Sequence, residues 1–140
     1  MNQYQLLLSL FLHVNRELTT FQRKTIKLVM EDYTDAAKLN TAIVSMTNHT
    51  TLLMQSDWVP KQAGSEAVQR PDHYGRYPIE PTYFIMECEK AGYPIPWPVA
   101  NFLKYICRFP FKNGIEDIRK SCRYLTIYMG YLDGQEDYSL

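Results

Sequence analysis

The stretch Pro98-Val99-Ala100-Asn101-Phe102-Leu103-Lys104-Tyr105-Ile106-Cys107-Arg108 places polar residues at Asn101, Lys104, Tyr105 and Arg108, in steps of three, one and three. At 3.6 residues per turn these four share one helical face. Phe102, Leu103 and Ile106 fill the other faces, so the spacing predicts a helix over 98–108 with a polar stripe on an otherwise apolar surface. Such a stripe requires a partner, either carboxylates within the fold or a bound anion. Lys and Arg one turn apart suit a phosphate, one as a point charge and the other as a planar fork. Asn101 and Tyr105 could then read a base or a sugar. The competing reading pairs the stripe with Glu116 and Asp117 on the next helix, because buried charges need partners.

Working outward, Phe109-Pro110 ends this helix. A last helix follows, with Asn113 expected as its cap and Glu116 as its capping-box partner. Ile115, Ile118, Cys122, Leu125, Met129 and Leu132 give it an apolar seam. Asp117, three residues before Lys120, has a surface pair as its plain reading and the orienting of Lys104 or Arg108, or proton transfer, as its functional one. Upstream, Tyr93 to Pro98 reads as a stiff extended connector. A helix from Pro81 to about Ala91 precedes it, stopped by Gly92.

The first half shows helices over 3–17, from Thr19 (with Gln22 as capping partner) to near Asp32, and over 35–56 with Thr34 as its cap. The apolar run Leu6 to Leu12 lacks a basic start and a small-residue cleavage site, and it is too short to span a bilayer. No strand-like alternation and no repeat occurs. The expected fold is all-α, a small helical domain of about six helices, oligomeric, with an N-terminal helical region at 1–56, a linker at 57–70, a second helical domain at 71–133 and a tail at 134–140.

Composition narrows the function classes. Lys+Arg and Asp+Glu number 15 each, so the 140-residue chain has no global electrostatic claim on nucleic acid. Three cysteines with no C-x-x-C argue for reduced thiols in a cytoplasm. The scattered histidines argue against a structural zinc site, and no metal ligands are assigned. Eleven tyrosines point to wet interfaces or a tyrosine-rich core edge. No glycine-rich phosphate loop is present.

Read in order, Pro71-Asp72-His73-Tyr74, Ile79-Glu80, Asn101 to Arg108, Lys112 and Glu116-Asp117-Ile118-Arg119-Lys120-Ser121-Cys122-Arg123-Tyr124-Leu125 resemble a family of small tailed-phage proteins of unknown function. That family includes the small nucleotide kinase of the T-odd coliphages. Ala100 stands where the family usually has Gly, and Ser121 where it has Ala. The resemblance implies a deoxynucleoside monophosphate kinase without a P-loop, in the host cytoplasm, with ATP or another nucleotide as phosphate donor. Asp117, Lys104 and Arg108 would carry the chemistry. His73, Tyr74, Glu80, Asn101, Tyr105, Lys112, Lys120 and Tyr124 would bind substrate, with Tyr74 and Tyr105 stacking on the base. The alternative is a non-catalytic nucleotide-binding protein that sequesters a nucleotide signal or regulates a host enzyme. A third reading makes the stripe internal scaffolding of an interaction module.

Overall fold

The computed structural model describes residues 1–61 and 77–134. These hold six helices and no strand: α1 (Gln3–Val14), α2 (Thr20–Glu31), α3 (Ala36–Met54), α4 (Pro81–Lys90), α5 (Trp97–Arg108) and α6 (Ile115–Leu132). The all-α expectation and the number of helices hold among the described residues. No helix there is long and apolar enough to cross a membrane.

The most extensive packing is between α5 and α6, and α3 covers α6 on another side. Helix α2 bridges α3 and α5, while α1 and α4 pack together at the flank. Phe11, Ile26, Met30, Leu39, Met46, Phe102, Leu103, Ile106, Ile118 and Leu125 are fully buried in one cluster drawn from α1, α2, α3, α5 and α6. Burying side chains of this size contributes roughly 1.5–3 kcal/mol each. The apolar face of α5 is therefore anchored on three sides, which fixes the direction of its polar stripe.

Two buried polar side chains tie the halves together. Asn15, fully buried, donates to the Ile79 carbonyl at 2.8 Å and accepts from the Ile79 N–H at 2.9 Å. Gln22, also fully buried, donates from Nε2 to the Ile106 carbonyl at 2.9 Å and the Cys107 carbonyl at 3.2 Å. The Tyr77 hydroxyl donates to the same Cys107 carbonyl at 2.6 Å. These carbonyls lie in the last turn of α5, where no intrahelical N–H remains to serve them.

The Thr19–Gln22 capping box is present. An Asn2–Gln5 box at α1 was not anticipated. Three boundaries differ from the sequence reading. Helix α1 stops at Val14 because Asn15 turns inward to Ile79. Asp35, rather than Thr34, caps α3, accepting from the N–H groups of Ala37 and Lys38, while the Thr34 hydroxyl donates to Asp32. Helix α6 is entered through Gly114 at φ 56° with no side-chain cap, so Asn113 and Glu116 form no capping box.

That Gly114 is dictated by distant residues. A Cβ there would lie 2.9 Å from Pro60 Cγ and 3.2 Å from Trp58 Cζ3. Trp58 packs on Phe109, and the Lys61 N–H donates to the Pro110 carbonyl at 2.7 Å. The start of the expected linker is thus seated on the α5–α6 turn. The rest of it, from residue 62, and the tail from residue 135 lie outside the described residues.

Candidate functional site

Helix α5 starts one residue earlier than its sequence pattern suggested. Trp97 belongs to it rather than to an extended connector, with proline in its first turn, where no N–H is missed. Trp97 is one turn before Asn101, so it extends the polar stripe. Helix α6 runs antiparallel alongside, as the pairing of Arg108 with Asp117 at one end and of Trp97 with Tyr124 farther along requires. Lys120, Tyr124, Tyr128 and Tyr131 recur on its facing side at helical intervals.

At the Arg108 end, Arg108 Nε donates to Asp117 Oδ2 at 3.2 Å, and the Asn113 N–H donates to the same oxygen at 3.1 Å. Asp117 is fully buried, and its Oδ1 has no hydrogen-bond partner among the described residues. The pairing of the stripe with Asp117 is therefore real, but it claims only Arg108. Glu116 turns outward instead, to Arg123 at 2.8 Å and Arg119 at 3.9 Å.

The centre of the stripe is the Tyr105 ring. Arg108 Cζ lies 4.5 Å from its centroid, Lys120 Nζ 5.3 Å and Lys104 Nζ 5.8 Å. All three are within cation–π range of one ring. Tyr105 is in turn stacked on Tyr124, with centroids 5.8 Å apart and planes 2° from parallel. Trp97 meets Tyr124 edge-on at 5.9 Å. Among the described residues neither Lys104 nor Lys120 forms an ion pair. Among the described residues, three cations thus gather on one ring, with the buried Asp117 paired to one of them. A local excess of positive charge of this kind favours an anion over a cation.

Other candidates fall around this centre. Glu80 stands at the N-terminus of α4 and lines a cleft with Lys104, Arg108, Tyr77 and Phe111. The cleft measures only about 20 Å³, room for a water rather than a ligand. Asn101 is half-buried on α5, and its side chain makes no hydrogen bond among the described residues. Lys112 is exposed on the α5–α6 turn. His73 and Tyr74 lie outside the described residues. The structure thus brings Lys104, Tyr105, Arg108, Asp117, Lys120 and Tyr124 together, with Glu80 at the margin.

The thiols take no part in this cluster. All three cysteines are unpaired, and burial pushes the Cys88 and Cys122 thiols up to about 11 and Cys107 higher still. Thiols held protonated in this way are poor nucleophiles and poor metal ligands. Among the described residues, no three His, Cys, Asp or Glu side chains cluster so as to hold a metal ion.

Sequence reasoning passed over Trp97, although its position four residues before Asn101 was the available signal. The flanking prolines suggested an extended segment and masked it.

Residues 68–126 match a family model described as a protein of unknown function (DUF3310). The match contains every candidate residue from His73 to Tyr124. Neither the curated proteins nor the solved structures give a significant match to the chain.

Proposed function

We propose that this protein binds nucleotides through their phosphate, on the α5–α6 face centred on Tyr105. The observation that carries this reading is the convergence of Lys104, Lys120 and Arg108 on one aromatic ring, where among the described residues only Arg108 is ion-paired, to Asp117. A phosphate set between the two lysines replaces mutual repulsion with charge-assisted hydrogen bonds. Asp117 holds Arg108 in place and is a positioning residue, since its carboxylate is buried and its Oδ2 already engaged.

The more demanding reading is phosphoryl transfer to deoxynucleoside monophosphates in a phage-infected cell. It is supported by the ordered resemblance of His73-Tyr74, Ile79-Glu80 and Asn101 to Leu125 to the phage family. Transfer depends on positioning and charge stabilisation, which lysines and an arginine can supply. One stripe must then serve two nucleotides, and sites shared between subunits would provide the room. The half-exposed Leu6 and Leu10 on α1 offer an apolar contact for such an oligomer.

Incubating the full chain with ATP and each deoxynucleoside monophosphate, and resolving the products by chromatography, separates the two readings. Diphosphate product establishes the kinase. Binding without product leaves a nucleotide-binding protein that sequesters a signal or regulates an enzyme.

A further inference from the structure

Beyond the cation cluster, the same face of α5 and α6 opens into a groove lined by Pro96, Trp97, Pro98, Ile127, Tyr128 and Tyr131. Its volume is about 380 Å³, within the range of small-molecule sites. It far exceeds the water-sized cleft at Glu80. Trp97 on the α5 side is 61% exposed, and Tyr131 on the α6 side is 59% exposed. Tyr131 stacks on Tyr128 with planes 21° apart, which stiffens that wall. Prolines and packed rings make rigid flat walls whose shape costs little entropy to hold.

Tyr105 is a poor platform for a base. One neighbour is the parallel ring of Tyr124, and three cations crowd the ring. The groove meets the need that Tyr105 does not. It joins the cation cluster through the Trp97–Tyr124–Tyr105 ring contacts. Asn101, on the stripe between Trp97 and Tyr105, brings an amide that can both donate and accept.

We infer that the Trp97–Tyr131 groove is a nucleobase subsite, in which a deoxynucleoside stacks on Trp97 while its phosphate reaches Lys104 and Lys120. This rests on the nucleotide-binding reading above and adds where the base lies. Its orientation follows: base toward the start of α5, phosphate toward its end. The groove's α6 wall, residues 127–131, lies past the end of the family match at residue 126. The Trp97 wall lies inside that match, so the groove straddles its boundary.

The test titrates the full chain with deoxynucleosides, with deoxynucleoside monophosphates and with inorganic phosphate, by calorimetry and by tryptophan fluorescence. Trp97→Ala and Tyr131→Ala are both exposed positions, so one variant checks the other should the first disturb the helix start. Each is expected to weaken monophosphate and nucleoside binding by roughly tenfold to a hundredfold, as loss of one base–aromatic stack does. Competition by inorganic phosphate should be unchanged. Wild-type affinity for the monophosphates in both variants overturns the base subsite and leaves the phosphate reading standing. Nucleosides binding as tightly as monophosphates, with loss in both variants, keeps the groove and removes the phosphate reading. No binding of either ligand at millimolar concentration overturns both.

Discussion

Arg108, in the last turn of α5, and Asp117, in the first turn of α6, are joined across the turn that links these helices, Nε to Oδ2 at 3.2 Å. The pair does two things. It closes the α5–α6 hairpin around a buried carboxylate, and it holds the guanidinium 4.5 Å from the Tyr105 centroid. One contact therefore sets both the packing of the two helices and the position of one cation in the proposed phosphate site.

Breaking that pair from the arginine side should be costly. Arg108→Met leaves the Asp117 carboxylate buried with, among the described residues, only the Asn113 N–H donating to it. Removing one member of a buried ion pair costs about 3–5 kcal/mol. Chemical denaturation should show a loss of that order. Adding Asp117→Asn to Arg108→Met should recover part of it, because the second change removes the stranded charge. Equal stability of the single and double variants would show that Asp117 is not held as a charge by Arg108.

Gly114 is expected to tolerate no side chain. It combines φ 56° with ψ −129°, a conformation open to glycine. A Cβ there would also meet Pro60 at 2.9 Å. Strain and overpacking together predict that Gly114→Ala destabilises by about 3 kcal/mol, measured by urea denaturation. Gly92, also at positive φ but with open space around it, should lose less on the same substitution.

His49 gives the fold a pH dependence. Its ring stacks on Phe21 at 3.7 Å, and burial lowers its pKa below the ordinary value of 6.5. The unfolded chain then binds a proton more readily than the folded one. The stabilisation is therefore complete above pH 6.5 and is lost as pH falls from there toward the folded-state value. Wild-type stability should drop between pH 8 and pH 5 more than that of His49→Phe. Parallel curves for the two proteins would show that His49 contributes nothing to the slope.

How much of this was legible in the sequence depends on the distance over which each feature is determined. The stripe of Asn101, Lys104, Tyr105 and Arg108 was readable because helical spacing is local, and the structure bears out its shared face. The Arg108–Asp117 pairing was one of two readings that residue types allowed, since these residues are near in sequence. The division of labour was not readable: Asp117 faces inward while Glu116, its neighbour, faces Arg123. Only the rotation of α6 against α5 decides that. Entry into α6 through Gly114 was hidden for a similar reason, because the contacts that require glycine come from Trp58 and Pro60. Trp97 was obscured by the prolines on either side of it, which are compatible both with an extended segment and with a helix's first turn.

The central claim is that Lys104 and Lys120 hold a nucleotide's phosphate beside Tyr105. Calorimetric titration of wild type and of the Lys104→Ala, Lys120→Ala double variant with deoxynucleoside monophosphates at low salt tests it most directly. The wild type is expected to bind at least one monophosphate at micromolar strength. Affinity should be at least tenfold weaker in the double variant, with folding intact because neither lysine has an ion-pair partner among the described residues. Equal affinity in both proteins, or no binding of any monophosphate by the wild type, would contradict it.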